Sequence, residues 1–122
     1  MFEVSIKTEF AAAHNLTNYS GACETLHGHN WKVEIRVESS ELDKSGLAID
    51  FLELKRIANE AMSTLDHTNI NEHPAFVSLS PSSENIARFI YGEVKKALPA
   101  HGRLKKVTIW ETDDASASYM ES

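Results

Sequence analysis

The strongest constraint on the fold of this chain is a change in the spacing of its apolar residues, from every second residue to about every 3.6 residues and back. Apolar and polar side chains alternate from Phe2 to Ala11 and again from about His29 to Glu38, which is typical of strands with one buried face. The long polar connection between these two strands is of the kind that usually has a function. The two segments are therefore expected to form a hairpin with an unusually long loop.

The middle of the chain has helical spacing. Between Asp50 and Leu65 the apolar residues recur at three- and four-residue steps, and Asp50 is placed to cap the helix. A second helix is predicted to begin near Ser80 and Pro81, as a capping serine followed by proline, and to end before Pro99.

Two further strands are predicted at the end of the chain, at residues 106–111 and 115–120. The order strand, strand, helix, helix, strand, strand (ββααββ) predicts an α+β fold, with two helices on one face of an antiparallel sheet. The 122 residues suit one domain that spans residues 1–122.

Composition excludes some classes of partner. The formal net charge of −6 argues against a nucleic-acid-binding surface. No apolar run reaches the roughly 18 residues of a membrane span. The residues after Met1 lack the basic start of a signal peptide, so a cytoplasmic location is expected.

The strongest chemical signal is the pair His27 and His29, separated by Gly28 where the long loop enters the second strand. Alternate strand residues share a face, so both imidazoles can reach one metal ion, and His14 at the end of the first strand can complete a three-histidine set. Three imidazoles leave an open position on tetrahedral zinc, as in catalytic sites. The alternative is that the spacing is accidental and these are surface or loop histidines.

Cys23 is the only cysteine and lies in the polar loop four residues before His27. A nearby metal cation would lower its pKa and make the thiolate a useful base or nucleophile. The alternative, a small buried hydrophobic residue, is less consistent with its polar neighbours.

Two further acidic positions admit both structural and catalytic roles. Asp66 precedes His67 after the first helix, and a carboxylate beside a histidine can form a proton relay, although histidines are common at helix ends for electrostatic reasons. Glu111 ends the third strand, where it is either solvated or able to accept two parallel hydrogen bonds from a guanidine-like edge.

Taken together, several segments of the chain resemble the 6-pyruvoyl-tetrahydropterin synthase family. These segments are FAAAHNL, CETLHGHNW, AIDFLELK, LDHTNIN, SPSSENIARFIY and WETDDASASY, and they run in order along almost the whole chain. The three residues between Cys23 and the HGH motif are similar to the bacterial and archaeal 6-carboxytetrahydropterin synthase branch. The presence of cysteine at this position argues against folate-pathway variants that carry glutamate there.

The resemblance implies a role for each matching residue. It places zinc on His14, His27 and His29 and makes Cys23 the proton acceptor. It implies that Asp66 and His67 form a relay that tunes the thiolate, and that Glu111 anchors the pterin ring. The hydroxyl groups expected near the substrate are those of Thr112, Ser82 and Ser83.

The resemblance also implies the tunnelling fold, with trimers stacked into a homohexamer and active sites between subunits. The implied substrate is 7,8-dihydroneopterin triphosphate, converted to 6-carboxytetrahydropterin, acetaldehyde and triphosphate in the synthesis of 7-deazaguanine and queuosine. The candidates for binding the triphosphate are Lys32 or basic residues of a neighbouring subunit. The alternatives are a 6-pyruvoyl-tetrahydropterin synthase that only eliminates triphosphate, and a zinc-binding module without catalysis.

Overall fold

The computed structural model describes residues 1–17 and 24–122. These residues form five strands and two α-helices, with two single 3₁₀ turns between β3 and α2. In chain order the elements are β1 (Phe2–His14), β2 (His27–Ser39), α1 (Phe51–Met62), β3 (Thr68–Asn69), α2 (Ser83–Ala97), β4 (Arg103–Thr112) and β5 (Ala115–Tyr119).

The strands form one sheet in the order β3-β1-β2-β4-β5. β1 and β2 pair antiparallel without a break, from Phe2 opposite Ser39 to His14 opposite His27. β4 and β5 extend the sheet antiparallel on one side, and the short β3 runs parallel to β1 on the other. The expected hairpin between the first two strands is confirmed.

The hydrophobic core lies between the sheet and the two helices. Inward-facing residues of the long strands alternate with more exposed ones, as the period of two requires, except at Glu34 of β2, which is also buried. Each helix turns an apolar stripe toward the same core, and both stripes are almost completely buried. The largest fully buried side chains include Trp31, Ile35, Leu54, Ile57, Leu65, Ile86, Ile90 and Ile109. The α+β arrangement is therefore confirmed.

The helix caps agree with the sequence in one case and differ in the other. Asp50 caps α1 as predicted, because its side chain accepts a hydrogen bond from the backbone N–H of Leu52 at 2.8 Å. The cap of α2 is Ser82 rather than Ser80, and the predicted start near Ser80 is wrong by two to three residues. Ser80 instead accepts a hydrogen bond from the side-chain amide of Asn85 through its carbonyl oxygen.

Strand β3 was not predicted, because two residues are too few to show a period. It is held to β1 by parallel pairing at Ala12 and Ala13. In the described part of the chain, neither helix is long and apolar enough to cross a bilayer.

Two leucines on α1 allow a matched test of this packing. Leu54 is completely buried, whereas Leu52 has 77% of its surface exposed. We expect Leu54→Ala to lower the free energy of unfolding by about 2–5 kcal/mol, because it leaves a cavity in the core. Leu52→Ala is expected to stay within about 0.5 kcal/mol. Urea denaturation at one fixed protein concentration measures both, and equal losses would contradict the described core.

Candidate metal centre

The pairing of β1 with β2 brings three histidines to one face at the end of the sheet. His14 and His27 are direct cross-strand partners, and His29 lies two residues further along β2 on the same face. The ring centroids are 4.7 Å apart for His14 and His27, 5.4 Å for His14 and His29, and 4.7 Å for His27 and His29. His14 and His27 are 13 positions apart in sequence, and they are neighbours because the hairpin register places them opposite each other.

Glu111 joins this cluster from β4. The register between β4 and β5 shifts between Trp110 and Thr112, so Glu111 lies at a β-bulge. Bulges re-aim side chains and are frequent beside active sites. One carboxylate oxygen of Glu111 lies 3.1 Å from Nε2 of His14 and 3.8 Å from Nε2 of His29. One ligand atom from each of the four residues falls within 4.8 Å of all the others, which is a spacing able to hold a metal ion.

Carbonyl oxygens fix the orientation of two of the three rings. Nδ1 of His14 lies 2.7 Å from the carbonyl oxygen of Pro81, and Nδ1 of His27 lies 2.8 Å from that of Thr25. A carbonyl oxygen can only accept, so Nδ1 donates in both rings, and in the neutral tautomer that this selects Nε2 has the lone pair. In a metal-binding histidine, the ring nitrogen that does not bind the metal usually donates to such a carbonyl, to a carboxylate or to water.

The Nε2 atoms of His14 and His29 are buried and have no hydrogen-bond partner within the described residues. The approach of Glu111 to His14 lacks hydrogen-bond geometry despite its short distance. An unsatisfied buried polar atom costs about 1–3 kcal/mol, and a metal ion at the centre of the cluster would satisfy both nitrogens. The arrangement therefore fits a metal ion.

Trp31 forms the floor of the cluster. It is fully buried, and its ring lies edge-on to His14 at 4.7 Å and to His29 at 5.1 Å. Its indole N–H donates to the carbonyl oxygen of Ala12 at 3.2 Å. This packing restricts the rotamers of the two histidines and excludes water from one side.

Burial lowers the pKa of His29, the largest effect on that group, and the neighbouring histidines act in the same direction while Glu111 opposes them. A lowered pKa favours the neutral imidazole, which is the form that binds metals. Imidazole ligands suit zinc, copper, iron and nickel more than magnesium or calcium.

Cys23 lies outside the described residues. The described chain ends at Thr17 and resumes at Glu24. The backbone N–H of Glu24 donates to the carbonyl oxygen of Leu16 at 3.2 Å. The carboxylate of Glu24 accepts from the backbone N–H of Leu16 at 3.1 Å, and it lies 3.9 Å from Nδ1 of His27.

Asp66 and His67 form the expected pair, but they lie apart from the four-residue cluster. Nδ1 of His67 is 2.9 Å from the Asp66 carboxylate, and the histidine side chain is 81% exposed. The backbone N–H of Ala11 donates to the Asp66 carboxylate, and this contact, with a smaller contribution from His67, holds the pKa of Asp66 below its usual range. The pair is thus hydrogen-bonded to the backbone of β1 at Ala11. His67 has a φ of 61°, in the left-handed region.

The hydroxyl residues have local hydrogen bonds. Ser82 accepts from the backbone N–H of Asn85 as the α2 cap, and Ser83 is the first residue of that helix. Both serines directly follow Pro81 in sequence, and the carbonyl oxygen of Pro81 contacts the His14 ring of the cluster. The hydroxyl of Thr112 donates to the Asp114 carboxylate at 2.9 Å on the exposed turn between β4 and β5.

The sequence alone did not identify the carbonyl groups of Pro81 and Thr25 or the aromatic floor at Trp31. Backbone carbonyls have no sequence signature. Trp31, however, continues the alternation of His27 and His29 on one strand face, so the period of two was a usable signal for it.

Comparisons with known proteins place the chain in a family. The 6-pyruvoyl tetrahydropterin synthase family model matches residues 3–122. The chain is 37% identical over 112 residues to a putative 6-carboxy-5,6,7,8-tetrahydropterin synthase of Archaeoglobus fulgidus, covering 91% of this chain and 89% of the relative. It is 36% identical over 91 residues to the dihydroneopterin monophosphate aldolase of Pyrococcus furiosus, covering 75% of each.

The fold is also similar to that of a solved relative. The structure of Caenorhabditis elegans 6-pyruvoyl tetrahydropterin synthase superposes with a TM-score of 0.84 and 25% identity, over 99% of this chain and 96% of the other. The match in sequence covers nearly every described element, and the match in structure includes the sheet that carries the histidines. The chain therefore belongs to the 6-pyruvoyl tetrahydropterin synthase family.

Proposed function

We propose that this protein is a zinc-dependent 6-carboxytetrahydropterin synthase. It would convert 7,8-dihydroneopterin triphosphate and one water molecule to 6-carboxytetrahydropterin, acetaldehyde and triphosphate. The observation that carries the proposal is the cluster of three imidazoles around a shared centre, two of them with buried and unpartnered Nε2 atoms. The name of the Archaeoglobus fulgidus relative supports the choice of reaction.

His14, His27 and His29 would hold the zinc ion through their Nε2 atoms. When bound, zinc supplies Lewis-acid polarisation of the oxygen atoms on the pterin side chain. Carbonyl oxygens already fix the His14 and His27 rings, so those two rings need little rearrangement to bind the ion. The floor at Trp31 keeps water from the inner side of the centre.

Cys23 would accept the proton from the side-chain carbon, since a thiolate beside a cation is a suitable base. Asp66 and His67 would relay that proton, with the ionised carboxylate favouring a proton on Nδ1 of His67. In the single chain His67 is largely exposed, so the relay would act in the pocket of a neighbouring subunit or after a ligand covers it. This fits the proposed homohexamer with active sites between subunits.

Glu111 has two chemical possibilities. Its carboxylate can complete a closed ligand set of three histidines and one glutamate, as in a structural zinc site. It can instead accept hydrogen bonds from the pterin ring, with zinc keeping an open position for the substrate. The second role is the proposal, because Glu111 is about one-third exposed and lies at a bulge where ligands can approach.

Two other activities of the family are alternatives. The Pyrococcus furiosus relative is named an aldolase for the monophosphate, and the Caenorhabditis elegans structure is a 6-pyruvoyl tetrahydropterin synthase. Product identification separates the three reactions. Acetaldehyde with a carboxypterin supports the proposal, and a pyruvoyl pterin supports triphosphate elimination alone. Cleavage of the monophosphate but not of the triphosphate supports the aldolase.

Replacement of the histidines tests the metal centre. We expect His27→Ala and His29→Ala each to reduce bound zinc well below one ion per chain, because each removes one of three imidazole ligands. Inductively coupled plasma mass spectrometry of the purified protein measures this. His73→Ala and His101→Ala are matched controls, because His73 contacts Thr64 and His101 contacts the Ala48 carbonyl, and they should retain full zinc content.

The same measurement on Glu111→Gln distinguishes its two possible roles. This variant should keep its zinc and lose turnover if the carboxylate anchors the pterin. Loss of zinc in Glu111→Gln would indicate a closed ligand set. If His27→Ala and His29→Ala held as much zinc as the control variants, that result would contradict the metal centre.

Cys23→Ala tests the proposed base. We expect zinc content to stay near that of the parent chain, while turnover of dihydroneopterin triphosphate falls by about 10²-fold or more, as for loss of a general base. Mass spectrometry of the pterin products and an assay for acetaldehyde follow the reaction. Cys23→Ser, which retains a far less acidic hydroxyl, should be similarly slow, and normal turnover in either variant would show that Cys23 is not the base.

A further inference from the structure

Two asparagines outside the proposed ligand set hold backbone segments next to His14 and next to the carbonyl group that its ring contacts. One holds the backbone directly after His14, and the other holds the segment that carries the Pro81 carbonyl. Both lie entirely within the described residues.

Asn71 holds the backbone of Asn15 with both ends of its side-chain amide. Its oxygen accepts from the backbone N–H of Asn15 at 2.9 Å, and its nitrogen donates to the carbonyl oxygen of Asn15 at 2.9 Å. A carboxamide offers the same donor and acceptor as a peptide group, so Asn71 acts as a substitute strand partner. The parallel pairing of β3 with β1 ends at Asn69, and Asn71 continues it beyond His14.

Asn85 holds the two residues that flank Pro81. Its side-chain nitrogen donates to the carbonyl oxygen of Ser80 at 2.9 Å, and its backbone N–H donates to the Ser82 hydroxyl at 3.2 Å. Arg88 donates to the side-chain oxygen of Asn85 at 2.9 Å, which requires the amide nitrogen to face Ser80. The Pro81 carbonyl lies between these two anchors and accepts from Nδ1 of His14.

We propose that Asn71 and Asn85 are positioning residues of the metal centre, which fix the backbone and the ring of His14 respectively. The inference rests on the proposed metal site. The side chain of His14 is only 1% exposed, and within the described residues the Pro81 carbonyl is the one hydrogen-bond partner of its ring. Residues that orient a metal ligand typically change metal affinity by about 10–100-fold when they are removed.

The test compares Asn71→Ala and Asn85→Ala with Asn59→Ala as a matched control. Asn59 lies on α1 and accepts a hydrogen bond from Thr8 at 2.7 Å, so it is also a bonded asparagine on a structured element. We expect the zinc dissociation constant, measured by competition with a chromogenic chelator, to rise about 10-fold or more for Asn71→Ala and for Asn85→Ala. Asn59→Ala should stay within about twofold of the parent chain, since it supports none of the metal ligands.

Urea denaturation of the metal-free variants separates positioning from general stability. A purely structural role lowers the free energy of unfolding but leaves the zinc affinity of the folded protein unchanged, which would overturn the inference. Equal loss of affinity in all three variants would overturn it as well. If one variant does not fold, the other decides the test, because the two asparagines make separate hydrogen bonds. A parent chain that binds no zinc would overturn the proposed function and this inference together.

Discussion

The antiparallel register of β1 and β2 determines both the core and the candidate site. It runs unbroken over 13 residues of each strand, so one set of side chains faces the helices along its whole length. A slip of β2 by one residue would turn Trp31 toward solvent and would move His27 and His29 to the face opposite His14. Burial of the apolar face therefore places the three candidate metal ligands on one face at the same end of the sheet.

The site lies where this regular pairing ends. The β1–β2 ladder ends at His14 and His27, and the nearby groups come from β4, from the segment before α2 and from the segment after β3. These irregular segments supply what a strand cannot, namely the bulge at Glu111 and the carbonyl of Pro81. The buried Nε2 atoms of His14 and His29 are costly without a partner among the described residues, and a cation at the centre of the cluster would remove that cost.

Sequence reasoning predicted the features that depend on periodicity. The alternation along β1 and β2 predicted the hairpin, and the hairpin predicted that His14 lies close to His27 and His29. Periodicity could not predict that Glu111 lies close to the histidines, because that position depends on a bulge. It could not predict β3 either, because two residues show no period. The cap of α2 was misplaced because Ser80 and Ser82 are both plausible caps, and only the hydrogen bond to Asn85 distinguishes them. The proposed roles of Asp66 and His67 remain predictions, and so does that of Cys23.

The central claim is that three imidazoles from one hairpin bind a single metal ion. Its most direct test is a crystal structure of the purified protein with diffraction data measured above and below the zinc absorption edge. The account predicts one anomalous peak per chain that disappears below the edge and is bounded by the Nε2 atoms of His14, His27 and His29. A metal peak at any other set of side chains, or imidazoles that turn away from one another in zinc-soaked crystals, would contradict it.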